Sequence, residues 1–231
     1  MKTIGILGGL SPESTIAYYR HITQEYTARF GDYSYPEILI YSVQFQRFVD
    51  WQKERNWEAA ADKMIQAVDR LYAAGADFGI IATNTMHVVF DEVAAAAAMP
   101  MLSIIDATAE AVKQEGLIKV GLIGTIFTIR EPFFREKMEQ HGISVVMPQE
   151  KDLELINSII FDELCRGVVR DESRKQILAV TEVLSERGAE GIICGCTEIP
   201  LLISQEHCGL KMFNTTTIHA KKALDYALQE P

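Results

Sequence analysis

Short apolar runs alternate with longer stretches of helical periodicity along most of the chain, the pattern of βα units feeding a parallel sheet. The runs at 3–7, 37–43, 78–82, 101–105, 119–123, 144–147, 191–194 and 211–214 are expected to be strands. Two helix starts are legible between them. Ser11-Pro12-Glu13 places a capping side chain ahead of a proline at the first helical position. Thr128 with Glu131 has capping-box spacing before Phe133 and Phe134. The expected fold class is α/β.

The pattern repeats. Gly75-Ala76-Asp77 and an apolar run ending Ala82-Thr83-Asn84-Thr85 are matched 113 positions later by Gly188-Ala189-Glu190 and a run ending Gly195-Cys196-Thr197-Glu198. Thr83 then falls on Cys196. Upstream, Ile4-Gly5-Ile6-Leu7-Gly8-Gly9 resembles Val120-Gly121-Leu122-Ile123-Gly124-Thr125, and Tyr18-Tyr19-Arg20 resembles Phe133-Phe134-Arg135. Any two βα units rich in Gly and Ile look alike, but three ordered pairs at near-constant spacing favour two pseudo-symmetric lobes. In an open α/β sheet, ligands bind at the carboxyl ends of the strands. A crevice between two such edges would set Thr83 opposite Cys196.

Composition narrows the partners. With 22 Lys+Arg against 32 Asp+Glu, the net charge of −10 and the lack of any basic run beyond Lys221-Lys222 exclude a footprint for a phosphate backbone, so no nucleic acid is expected. The longest weakly polar stretch, 93–101, is mostly alanine and contains Pro100, well short of the roughly 18 apolar residues of a membrane span. The apolar run after Met1-Lys2-Thr3 ends in glycines, which does not resemble a secretory leader. A cytoplasmic protein is expected, whose four cysteines are read as thiols.

Cys196 sits where a strand should give way to a helix. Main-chain N–H groups and the dipole at a helix start can lower a thiol below its free value of about 8.5. A buried, inert thiol is the common fate of a free cysteine, but this position favours a function. Cys194, on the opposite strand face, is expected in the core, and a Cys-x-Cys metal pair lacks companion ligands, so no metal is expected. Cys165 is expected to pack on a helix, and Cys208, in an expected loop, is given no role. Thr83, Asn84 and Thr85 at the equivalent strand end read both as helix caps and as groups that hold a carboxylate. His87 is the histidine nearest to them, although a place on a helix surface is more usual. Gly8-Gly9-Leu10-Ser11 lacks dinucleotide spacing, and the second strand ends without an acidic residue, so these glycines are read as admitting a small ligand. Trp51-Gln52 reads as a surface loop or a lid contact.

These residues together resemble the aspartate/glutamate racemase family, which uses no pyridoxal phosphate. The likeness covers the opening 4–15 segment, Asn84-Thr85-Met86-His87, Gly195-Cys196-Thr197-Glu198 and the late Thr215-Thr216-Thr217-Ile218-His219-Ala220, so essentially the whole chain. It implies two flavodoxin-like lobes, each a parallel sheet flanked by helices, expected over 1–99 with 207–231 and over 100–206. It also implies a homodimer, no cofactor, and a small dicarboxylic amino acid held between the lobes. In the family two cysteines face the α-carbon from opposite sides. Here Thr83 stands where the first cysteine is common, and Asn214 where aspartate is frequent. Members with such a threonine favour L-aspartate or L-glutamate. On that basis Cys196 is assigned as the base and Thr83 as the proton donor or relay, with Leu10, Ser11, Gln52, Asn84, Thr85, Thr125, Glu163 and Thr197 at the substrate. Two other readings stand beside it: a one-cysteine decarboxylase or isomerase of the wider superfamily, and an amino-acid-binding protein without turnover.

Overall fold

All eight apolar runs become strands, and every strand pairing among the described residues is parallel. The computed structural model describes residues 1–229. The chain forms two compact units, Met1–Ala107 with the stretch from Thr216, and Thr108–Thr215. The passages fall at 107/108 and 215/216, against 99/100 and 206/207 expected from the sequence.

The first unit runs β1 (Ile4–Gly8), α1 (Pro12–Phe30), β2 (Ile38–Ser42), α2 (Phe45–Glu54), α3 (Trp57–Ala73), β3 (Phe78–Ile81), a 3₁₀ turn (Thr85–Val89), α4 (Phe90–Ala96), β4 (Met101–Leu102) and the start of α5 (Ile104–Gln114). The second runs β5 (Lys119–Ile123), α6 (Ile126–Arg130), α7 (Phe133–Gln140), β6 (Ser144–Val146), α8 (Glu150–Ser158), α9 (Asp171–Glu186), β7 (Gly191–Cys194), α10 (Ile199–Leu202) and β8 (Lys211–Asn214), after which α11 (Thr215–Ala227) rejoins the first. Strand order is β2-β1-β3-β4 in one sheet and β6-β5-β7-β8 in the other, the same order shifted by four.

Inner strands buried on both faces explain the unbroken apolar runs. Ile4, Ile6, Phe78 and Ile80 pack on one face of the first sheet with Tyr18 and Ile22 of α1 and with Ala220, Ala223 and Leu224 of α11. Leu7 and Ile81 face the other side, with Met64, Val68 and Leu71 of α3. In the second unit Ile123, Ile192 and Cys194 pack with Ile177, Val180 and Leu184 of α9.

The echo extends to polar anchors. Asp77 Oδ2 accepts from Thr3 N–H at 2.6 Å, and Glu190 Oε2 accepts from Ile118 and Lys119 N–H at 3.0 and 3.1 Å. In both units an acidic residue just before one central strand therefore ties down the start of its neighbour. After β1, Ser11 Oγ caps α1 by accepting from Ser14 N–H; after β5, Thr125 Oγ1 does the same for Thr128 N–H in α6.

Three local expectations are corrected. Thr128 lies inside α6 and Thr125 is its cap, because Thr125 and Thr128 share the same three-residue spacing. The run 101–105 is strand only over Met101–Leu102; Ser103 Oγ accepts from Ile105 and Asp106 N–H, which starts α5 at once. Gly8 and Gly9 give room to the chain itself. Gly9 has φ +84, a side chain there would meet the Val43 main chain at 2.6 Å, and its N–H donates to Thr15 Oγ1. Among the described residues no helix is long and apolar enough to cross a membrane.

Candidate active site

In the first unit β1 and β3 are neighbours in register, Leu7 opposite Ile81. Their carboxyl ends present Leu10 and Ser11 on one side and Thr83, Asn84 and Thr85 on the other, so five of the residues read from sequence share one edge. Thr83 N–H turns back to Ile81 O at 2.9 Å, which bends the chain sharply after the strand. Thr83 is 8% exposed and Asn84 4%, so both are inward-facing polar groups. Gln52 lies half-buried on α2, a helix where a loop was expected.

His87 is not a surface residue. It is buried in the 3₁₀ turn, its Nδ1 2.7 Å from Thr83 O, and its Nε2 accepts from Ile104 N–H at 3.1 Å. Those partners require the neutral ring with its proton on Nδ1. Burial, helped by nearby His219, lowers its pKa to about 3. His219 bridges Tyr18 Oη at 2.7 Å and Leu102 O at 3.0 Å, and burial lowers it to about 4. The two rings thus tie the Thr83 bend to the β4–α5 junction.

In the second unit β5 and β7 are in register with Ile123 opposite Cys194. Thr125 follows one strand, Cys196 and Thr197 the other. Cys196 holds the place in its unit that Thr83 holds in the first, two residues past the end of a central strand. It is 7% exposed. Cys194 is fully buried in the core as expected, its thiol pushed up to about 12 by burial. Cys208, also buried, has its sulfur 3.8 Å from Thr181 Oγ1.

The expectation of a lowered Cys196 pKa is overturned. Burial pushes the thiol well above its usual range and the adjacent Glu198 carboxylate pushes it further, outweighing the lowering by the Glu198 main-chain N–H. The helix that follows is only Ile199–Leu202 and begins three residues beyond Cys196, too short and too far on to offer a useful dipole. Cys196 Sγ donates to Glu198 Oε2 at 3.0 Å, and the same oxygen accepts from Thr197 Oγ1 at 2.6 Å. The resting group is a thiol hydrogen-bonded to a carboxylate.

Glu163 ends a π-helical turn, Ile159–Glu163, an irregularity often found at functional sites. Its Oε2 accepts from Ser173 Oγ at 2.6 Å and its Oε1 is 3.9 Å from Arg170 Nε, so the start of α9 fixes its carboxylate. Cys165 is not a packing residue. It is exposed on the next turn, Leu164–Arg166, where partial burial of the thiol and the Glu198 charge raise it to about 11.

Sequence reasoning missed two features. Glu198 was in plain view two residues after Cys196, but its contact with the sulfur depends on the turn at 195–198. A cavity of about 250 Å³ beside the end of β2, lined by Tyr41, Ser42, Arg47 and Lys63 among others, brings two cations to the carboxyl edge of the first sheet. Arg47 lies on α2 and Lys63 on α3, and no spacing rule pairs them.

The Asp/Glu/hydantoin racemase family model matches residues 7–223. A solved structure of a candidate Asp/Glu racemase from Yersinia pestis is 43% identical, with TM-score 0.94 over 99% of this chain and 100% of that one. An aspartate racemase homologue from Pyrococcus horikoshii is 39% identical, with TM-score 0.90 over 99% and 100%. RacX, the broad specificity amino-acid racemase of Bacillus subtilis, is 22% identical over 96% of each chain. With eight parallel strands in two like sheets and a family match across nearly its whole length, the chain belongs to the Asp/Glu/hydantoin racemase family and is an amino-acid racemase, an isomerase of the group that works without pyridoxal phosphate.

Proposed function

We propose that the protein racemises L-aspartate or L-glutamate, Cys196 removing the α-proton and Thr83 supplying one to the opposite face of the same carbon. The observation that carries this reading is the matched placement of the two residues. Each lies two positions past a central strand of equivalent rank, and each is almost fully buried. Inverting a carbon by proton exchange needs a base on one face and an acid on the other, both within hydrogen-bond reach of one atom.

The α-carboxylate has to be held by fixed donors as negative charge grows toward the enediolate. Ser11, Asn84 and Thr85 in the first unit, and Thr125 and Thr197 in the second, supply short polar side chains for this. Leu10, Gln52 and Glu163 complete the proposed surroundings. A dicarboxylic substrate is supported by the cavity at the end of β2, where Arg47 and Lys63 offer positive charge suited to a second carboxylate.

In heavy water, the native enzyme should wash out the α-proton signal of L-aspartate or L-glutamate and produce the D form. Cys196→Ser should lose both. Folded protein that exchanges neither amino acid overturns the reading, and carbon dioxide release from a disubstituted malonate would point to a one-thiol decarboxylase instead.

A further inference from the structure

A protonated, buried thiol cannot itself remove an α-proton; something has to take the proton it already carries. We infer that Glu198 is that acceptor, so that the base on the Cys196 side is a cysteine–glutamate pair. The inference rests on the racemase reading and adds a residue to it. Three observations support it. The Cys196 thiol donates directly to Glu198 Oε2 at 3.0 Å. Thr197 Oγ1 donates to the same oxygen at 2.6 Å, which fixes the carboxylate in the turn between β7 and α10. Finally, Cys196 is 7% exposed and packs in the core cluster of its unit, so Glu198 rather than bulk water lies beside the sulfur to take its proton.

The step balances as a relay. The Cα–H bond breaks and its proton passes to Sγ while the Sγ–H proton passes to Glu198 Oε2. The electron pair of the Cα–H bond moves into the substrate as the enediolate. One negative charge leaves Glu198 and appears on the substrate, and the reverse sequence returns the proton through the same sulfur. No free thiolate accumulates.

This scheme separates two properties that a purely structural role would move together. Glu198→Gln removes a negative charge beside Sγ, so the thiol ionises more easily. Alkylation of Cys196 by iodoacetamide should quicken at fixed pH, read by tandem mass spectrometry to distinguish it from exposed Cys165. The same variant has no proton acceptor, so α-proton exchange in heavy water should fall by about 100-fold or more. Glu198→Asp, which keeps a carboxylate on a shorter arm, should recover part of the exchange. Exchange in Glu198→Gln within a few-fold of native overturns the relay and leaves the racemase reading intact. A fall in both alkylation and exchange, unrelieved in Glu198→Asp, also overturns it, as the mark of a damaged turn. A native enzyme inert toward both amino acids overturns the racemase reading and the relay with it.

Discussion

The side chain at position 83 carries a hydroxyl, a far weaker acid than a thiol, yet it has no influence on the equilibrium, because enantiomers have equal free energy. The equilibrium constant is one, so kcat/KM is the same in both directions for any variant. A hydroxyl slows both directions together, or divides an asymmetry between kcat and KM. Thr83→Cys, which installs a better acid and base, is therefore expected to raise kcat/KM for the L and D enantiomers equally and to raise turnover of the D form most clearly. Optical rotation followed from each enantiomer checks this, and a folded variant whose turnover of the D form is unchanged or lower would contradict it. The same residues show what a sequence withholds. Gly195-Cys196-Thr197-Glu198 singled out the sulfur proposed as the base, but not its protonation, which is set by the closed core around it and by how Glu198 turns. His87 likewise gave no sign of burial, since its partners are the Thr83 carbonyl and the Ile104 amide, both main-chain groups.

At the level of elements, every strand was legible because central strands of a parallel sheet are apolar on both faces and end in short polar turns. The error at 101–105 arose where two β-branched residues, Ile104 and Ile105, continue an apolar run that Ser103 has already redirected into a helix. Across that junction the buried imidazoles of His87 and His219 join β4, α5, α1, α11 and the turn after β3. Both are neutral in the fold, with pKa values lowered to about 3 and about 4 by burial. Below the ordinary histidine value of about 6.5 the unfolded chain binds more protons than the folded one, so stability falls as pH falls. The loss continues until the folded values are reached. Each ring contributes a slope of about 1.4 kcal/mol per pH unit inside that window. Urea unfolding between about pH 6 and pH 5, above the usual carboxylate range, should show stability dropping with a slope of about two protons or more, since burial and nearby Arg20 and Lys221 also lower His21. A flat profile would rule out two neutral rings.

For the whole molecule, the two units share strand order, capping hydroxyls and an acidic clamp, which is why a repeat in the sequence could be read as a repeat in the fold. How far a repeat carries was less legible. The strands correspond, but the cavity with Arg47 and Lys63 and the π-helical turn before Glu163 belong to one unit each. The chain of the first unit is also interrupted. Its sheet is laid down over the first hundred residues, while α11, which covers one face of that sheet and whose Asp225 pairs with Arg29 of α1, comes after β8. A chain ended at Asn214 should therefore lose protection in its amino-terminal part during limited proteolysis, whereas 108–214 should stay resistant. Equal susceptibility of both parts would contradict this. The arrangement has a consequence during synthesis. At roughly 5–20 residues per second, a ribosome needs on the order of ten seconds to make the intervening unit, and for that time one apolar face of the nascent first sheet is covered by α1 alone, the part that α11 will occupy lying bare. The part translated first is the part finished last, so apolar surface waits for cover there rather than at the younger end.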